Sequence, residues 1–340
     1  MAKAVVASEP VPAEISRNLA LELVRVTESG ALASARWMGR GDKNMADGAA
    51  VDAMRRALGR IDMDGVVVIG EGEKDEAPML YIGEKIGSGT PPQVDVAVDP
   101  IDGTTLLSKG LPNAISVVAM AAGRGSLYDA KHVAYMHKLA TGPDAAGSFD
   151  INDPIAANLQ RIARAKRMRV TGLTVVILDR PRHEDLIKEV RDTGARIKLI
   201  SDGDVAGALM TAIEGSGLDV LMGIGGSPEA VLAACALKCM GGEIQCKLYS
   251  RNPEEREKAE AQGADFNEVL GIDDLVRSDD VFFAGTGITD GEVLQGVKYH
   301  MNWAETESIV TRSRSGTVRR VQARHHWGYK QREWLGQPEG

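Results

Sequence analysis

Apolar positions recur at helical spacing near the start of the chain. Ile15, Leu19, Leu23, Val26 and Leu32 fall on one stripe, which predicts a helix over 15–38 that stops at the glycine-rich Gly39-Arg40-Gly41. Asp42-Lys43-Asn44-Met45-Ala46-Asp47-Gly48 comes next, and a second helix is then expected to run to about Leu58. Short β-branched or alternating runs then predict strands at 66–69, 94–98 and 115–120. The stretch 79–86 fits a helix or a strand equally well. From about residue 170 the pattern becomes strand, polar turn, helix, three times over: strands at 174–178, 197–200 and 219–222, each leading through a turn into a helix. A charged helix is expected at 250–262, a strand at 281–283 with a Gly-Thr-Gly loop after it, and a closing hairpin at 307–312 and 317–323 around Ser315-Gly316. Strands that alternate with helices argue for an α/β protein whose functional turns lie at strand ends.

Several of those strand ends are acidic. The strand at 94–98 empties into Asp99-Pro100-Ile101-Asp102-Gly103-Thr104-Thr105, with Pro100 expected to stop the strand because it cannot donate to a sheet ladder. Two carboxylates on one turn suit a hard divalent cation such as Mg²⁺ or Mn²⁺. Amides after Gly103 suit a phosphate if a helix starts there. The three-residue spacing differs from the two-residue spacing of haloacid-dehalogenase phosphatases. Glu71 and Glu73 follow the strand at 66–69, Asp47 precedes a helix, and Glu229 follows Gly223-Ile224-Gly225-Gly226-Ser227-Pro228. Taken singly, each acid has a bland reading. Asp47 is a helix cap, Glu229 a first-turn acid favoured by the helix dipole, and Thr104 a cap after Gly103. Taken together with one phosphate-ready turn, they favour a metal site. Arg180 and Arg182 flank Pro181 at another strand end, where a pair of guanidinium groups can clamp a phosphate. His183 is expected to support that turn. Asp202-Gly203-Asp204 can accept hydrogen bonds from sugar hydroxyls or simply turn the chain.

Bulk properties narrow the classes. The 340 residues are more typical of two domains than one, and the formal net charge of -8 argues against nucleic acid as a partner. No apolar run reaches the ~20 residues of a membrane span, and the start of the chain lacks a secretory pattern. Three cysteines, Cys235, Cys239 and Cys246, fit a reducing, cytoplasmic compartment. Cys235 and Cys239 share a helix face and read as buried small residues. The glycines at 223, 225 and 226 lack the spacing of a dinucleotide fingerprint.

In order along the chain, Gly39-Arg-Gly-Asp-Lys-Asn-Met-Ala-Asp-Gly48, Gly70-Glu-Gly-Glu73 with Glu76-Ala-Pro-Met-Leu-Tyr-Ile-Gly83, Val98-Asp-Pro-Ile-Asp-Gly-Thr104, Arg180-Pro-Arg-His183, Ser201-Asp-Gly-Asp204, Gly223-Ile-Gly-Gly-Ser-Pro-Glu229 and Ala284-Gly-Thr-Gly-Ile-Thr289 make a specific set. Over about residues 15–325 the chain resembles the class II fructose-1,6-bisphosphatases of the bacterial GlpX type. These belong to the lithium-sensitive, metal-dependent phosphatase superfamily. The resemblance implies a layered α-β-α-β-α sandwich of the sugar phosphatase type. It implies hydrolysis of D-fructose 1,6-bisphosphate to D-fructose 6-phosphate in gluconeogenesis, with Mg²⁺ or Mn²⁺, by a homodimer or homotetramer that needs neither nucleic acid nor membrane. Asp47 and Glu71 would hold one metal, and Asp99, Asp102 and Glu229 a second. Asp102 stands where some members carry Glu. Thr104, with Asp47, would orient and deprotonate the attacking water. Asp102, Gly103, Thr104, Tyr135, Arg180, Pro181, Arg182, Asp202, Gly203, Asp204 and Gly226 match substrate-contact positions. The expected organisation is a lead-in at 1–13, a metal-binding α+β domain at 14–170, an α/β domain with substrate-binding turns at 171–327 and a polar tail at 328–340. Alternatives are a sedoheptulose-1,7-bisphosphatase, alone or dual, and a non-catalytic sugar-phosphate sensor. All five carboxylates and Thr104 are present, which argues against a sensor.

Overall fold

A computed structural model describes residue 16 and residues 18–71, 80–130 and 133–327. The lead-in at 1–13, the tail at 328–340, Glu73 and residues 76–79 lie outside the described residues.

Five layers stack on one another. Helices Leu19–Ser34 and Lys43–Leu58 form the first, each laying an apolar stripe on a sheet. Leu23, Val26, Met54 and Leu58 meet Val96, Val98, Val118, Met120 and Phe282 there, all buried. The sheet beneath has eight strands among the described residues. Its order is Lys298–Tyr299, Trp303–Arg312, Val281–Gly287, Ile115–Ala122, Gln93–Asp102, Asp64–Ile69, Lys85–Ile86, with Thr317–His326 paired to Trp303–Arg312. Alternate residues of the same strands, among them Ala97, Val117, Ala119 and Phe283, face the other way. They pack on a middle layer made of helices Asp204–Thr211 and Ser227–Met240. The second helix is almost wholly buried, and its small residues, Ala230, Ala233, Ala234, Cys235 and Ala236, let both sheets approach it. Beyond it lies a five-stranded sheet in the order Arg196–Ile200, Thr174–Leu178, Val220–Gly226, Tyr135–Thr141, Glu243–Tyr249. Helices Ile155–Ala165 and Glu184–Asp192 cover its outer face through Leu159, Ile162, Ile187 and Val190. This is the α-β-α-β-α sandwich that the family resemblance implies.

Sheet membership is not contiguous along the chain. Tyr135–Thr141 joins the five-stranded sheet between two strands that come some eighty and more residues later, and Val281–Gly287 returns to the first sheet.

Four local expectations are corrected. The strand through Asp99 does not stop at Pro100 but continues to Asp102, over a bulge in which the partner register steps from Asp99 opposite Val117 to Asp102 opposite Ile115. Inside a bulge a residue is left out of the ladder, so proline is tolerated. The glycine-rich stretches at 223–226 and 285–287 are strand, not loop. Their glycines answer close approach: a Cβ on Gly287 would lie 2.3 Å from the Gln295 carbonyl oxygen. Asp47 lies inside its helix, and Asp42 is the cap, its carboxylate accepting from the Met45 amide at 3.0 Å. The first helix starts at Leu19 rather than 15 and gives way to a short 3₁₀ turn at Ala35–Trp37. The ambiguous stretch near 79–86 contributes the short strand Lys85–Ile86. Cys235, Cys239 and Cys246 are free and buried.

Candidate active site

Strand ends from the first sheet and helix starts from the middle layer open onto one cavity of about 270 Å³. Its walls carry the carboxylates of Asp47, Glu71, Asp99, Asp102, Asp202, Asp204 and Glu229, with Gly103 and Thr104 between them. Local structure explains how each acid arrives. Gly70 lets the strand Asp64–Ile69 turn against Leu80, where a Cβ would lie 2.0 Å from the Leu80 carbonyl oxygen. That turn presents Glu71. The bulge presents Asp99, which accepts from the Ile101 amide at 3.0 Å. Asp102 accepts from the Ala206 amide at 2.9 Å, tying the first sheet to the helix Asp204–Thr211. Gly103 takes a left-handed conformation at φ +97 and starts the helix Thr104–Lys109. Asp202 accepts from the Thr105 amide at 3.2 Å. Pro228 occupies the first turn of Ser227–Met240 and Glu229 follows it, as the helix-start rule anticipates.

The acids repel one another. Burial raises the Asp99 carboxyl well above its ordinary range, and Asp102, Glu71 and Glu229 push it further. Asp102 is raised well above its range in the same way, by burial and then by Asp204. Glu229 is raised by burial and Asp204, against the pull of Lys138. Burial raises Asp47 too, opposed by its hydrogen bond with Thr104 and by Lys43. Glu71 opens to solvent at the rim, yet loss of hydration with Asp47 and Glu229 nearby pushes it up to about 7. Glu229 Oε2 is buried and has no hydrogen-bond partner. Oxygen donors that crowd, repel and leave an orphan atom fit a hard divalent cation, which takes oxygen ligands. Among the described residues no three side chains already form a closed coordination sphere. The acids line a cavity rather than surround a point.

The chain was compared with known proteins. The family model for bacterial fructose-1,6-bisphosphatase, glpX-encoded, matches residues 17–325. The chain belongs to that family. Two curated relatives agree. The class 2 fructose-1,6-bisphosphatase of Haemophilus influenzae is 46% identical over 325 residues, 92% of this chain and 97% of that protein. Fructose-1,6-bisphosphatase 1 class 2 of Escherichia coli K12 is 45% identical over 330 residues, 93% of this chain and 98% of the relative. The glpX-type match spans every cavity carboxylate.

Within this glpX-type chain the expected metal ligands Asp47, Glu71, Asp99, Asp102 and Glu229 all line the cavity. Of the expected substrate residues, Asp102, Gly103, Thr104, Asp202 and Asp204 line it as well. Gly203 stands beside it, with φ +82 and room for a Cβ only 3.7 Å from Asp102 Oδ2. Gly226 abuts Glu229, since a Cβ there would lie 1.9 Å from Glu229 Oε2. Tyr135, Arg180, Pro181 and Arg182 are not in its wall. Tyr135 pairs with Gly226 across the five-stranded sheet, and the Arg182 guanidinium lies 5.3 Å from the Tyr135 ring centre. Arg182 also donates to the Ile224 carbonyl at 2.8 Å. Arg180 turns back to the Asp179 carbonyl at 3.1 Å. Pro181 opens the 3₁₀ turn Pro181–His183. His183 braces that turn, its Nδ1 2.7 Å from the Leu178 carbonyl and its Nε2 accepting from the Ile224 amide at 2.7 Å.

Three residues near the site escaped the sequence reading. Lys138 is buried against Asp204, Gly225 makes room for that pair, and the Arg251 guanidinium lies 5.4 Å from the Tyr135 ring centre. The signal for Lys138 is weak: a lysine beside His137 in a strand whose other buried residues include Met136, Leu139 and Ala140. Gly225 stands in the glycine-rich run before Glu229, but nothing local gives its role, which depends on side chains from two other elements.

Proposed function

We propose that the protein hydrolyses D-fructose 1,6-bisphosphate to D-fructose 6-phosphate and phosphate, using Mg²⁺ or Mn²⁺ held by the cavity acids. The observation that carries this reading is the convergence of five expected ligands and Thr104 on one cavity, with a buried Glu229 oxygen left unpartnered. Asp47 and Glu71 would hold one cation, and Asp99, Asp102 and Glu229 another. When bound, such cations lower the pKa of a water and screen charge on the phosphoryl group and the leaving alkoxide.

The chain's own residues do the rest. Thr104 stands at the cavity with its hydroxyl 3.2 Å from the Ile101 carbonyl and in hydrogen-bonding contact with Asp47. That contact gives Asp47 a place to receive a proton and Thr104 the orientation to hold a water toward the phosphoryl group. Asp202 and Asp204 accept from sugar hydroxyls. Arg182 and Tyr135 hold the non-reacting phosphate, and the binding energy gained there orients the reacting end. No described helix is long and apolar enough to cross a membrane. The family resemblance supports a cytoplasmic homodimer or homotetramer, which sedimentation analysis of the purified protein checks.

Phosphate release from a panel of sugar bisphosphates and monophosphates, with Mg²⁺ or Mn²⁺ present, tests the activity. Release from fructose 1,6-bisphosphate with fructose 6-phosphate as product is expected. No release from that substrate with either ion overturns the reading.

A further inference from the structure

The acid cavity borders one buried charge of opposite sign that the account above leaves without a task. Lys138 sits in the strand Tyr135–Thr141, and its side chain is only 2% exposed. Its ammonium lies 2.6 Å from Asp204 Oδ2. The neighbouring strand is cut back to admit this pair: a Cβ on Gly225 would stand 2.0 Å from Asp204 Oδ2 and 2.9 Å from Lys138 Nζ. A glycine in a strand that answers to one ion pair marks a built arrangement rather than incidental contact.

Taking an ammonium out of water is unfavourable unless carboxylates meet it closely. Here Asp204 does so, with Glu229 adding to the field, and Cys246 is the titratable neighbour on the adjoining strand. Burial alone works against the charged amine, but the two acids outweigh it and hold Lys138 protonated. Two neighbouring carboxylates thus differ in state. Asp204 is matched at bonding distance by a cation of the chain itself. Glu229 keeps a buried oxygen with no partner. Among the described residues, no other acid of the cavity wall makes an ion pair within 4.0 Å.

We propose that Lys138 is a positioning residue that divides the acids between two tasks. It ties Asp204 to the wall as an internal counter-ion, so that Asp204 stays out of the divalent-ion set and faces the sugar hydroxyls. Glu229 and the remaining acids are left to the external cations. This rests on the phosphatase reading for the sugar, while the sorting of cations stands on the ion pair itself.

The test uses three variants: Lys138→Met, Asp204→Asn and the double variant. Mn²⁺ is titrated calorimetrically into each metal-free protein, and KM and kcat for fructose 1,6-bisphosphate are measured separately. Lys138→Met frees Asp204 as an extra oxygen donor. It is expected to bind Mn²⁺ about tenfold tighter or with an added equivalent, and to raise KM by about tenfold or more, the scale of losing a residue that orients a ligand. Lys138→Arg keeps the charge and should restore the Mn²⁺ isotherm. The double variant should match Asp204→Asn in both readouts, because Lys138 has nothing left to position. That comparison decides even if Lys138→Met does not fold. A Lys138→Met protein with wild-type Mn²⁺ binding and KM overturns the proposal, and so does a double variant clearly worse than Asp204→Asn. A wild-type protein that releases no phosphate overturns the phosphatase reading, while the isotherms still judge Lys138.

Discussion

The wall of the cavity that comes from the eight-stranded sheet differs electrostatically from the side that faces it. On the first, Glu71, Asp99 and Asp102, joined by Asp47, crowd together with their carboxyls raised by lost hydration and mutual repulsion. On the second, Glu229 keeps an unpartnered oxygen and belongs with those acids, but the neighbouring groups are answered within the chain. Lys138 meets Asp204, Arg182 meets the Ile224 carbonyl and the Tyr135 ring, and His183 bridges Leu178 and Ile224. The contrast separates two kinds of site. A region that is electrostatically incomplete by itself is where a charged cofactor supplies the missing term. A region whose polar groups are satisfied is a preformed surface for orienting a substrate.

The comparison breaks most severely if the cation is withdrawn. Excess chelator should take phosphate release to background, and Mg²⁺ or Mn²⁺ should restore it; full turnover in verified metal-free protein contradicts the first half of the contrast. Next in size is Thr104→Ala, which should cost roughly 10²-fold in kcat with little change in KM, the scale of a lost acid–base group. Thr104→Ser should keep much of the rate. If Thr104→Ala only melts earlier and turns over normally per folded molecule, the residue is a helix cap. Arg182→Ala probes the preformed side. It should raise KM by about tenfold, with kcat changed far less, because a contact to the non-reacting phosphate contributes binding that is uniform between ground and transition states. A collapse of kcat at constant KM would move Arg182 into the chemistry.

The smallest effect concerns stability. The raised acids favour the protonated form of the folded state. Their contribution is fully present below the unfolded carboxylate values near 4 and is lost as pH climbs through the folded value of about 7 for Glu71. The metal-free protein should therefore melt at progressively lower temperature as pH rises across that window, and saturating Mg²⁺ should flatten the slope. A melting temperature that rises with pH in the metal-free protein has the wrong sign for this account.

Much of the acidic side was legible in the sequence, because strand ends, turn residues and helix starts are local features. Asp99, Asp102, Glu71 and Glu229 each sit within a few residues of a recognisable apolar run. The preformed side was harder. Lys138 and Gly225 acquire meaning only when Tyr135–Thr141 pairs with Val220–Gly226, strands brought together by topology rather than sequence proximity. Glycine misled in the same region. At 223–226 it reads as a loop, yet the strand persists through its pairing with Tyr135–Thr141, and its glycines make room for His183, Asp204 and Glu229. Pro100 misled for a related reason, since a bulge removes the ladder bond that proline cannot make.

The central claim is that the acids on the first-sheet wall, with Glu229, await divalent cations, and the direct measurement is the proton balance of metal binding. Mn²⁺ is titrated into the metal-free protein in buffers of different ionisation enthalpy at about pH 6 and about pH 9. Protons should be released at the lower pH, where Glu71 still carries one, and the release from Glu71 should fall toward zero at the higher pH. Absence of binding, or binding with no proton release at about pH 6, contradicts the account.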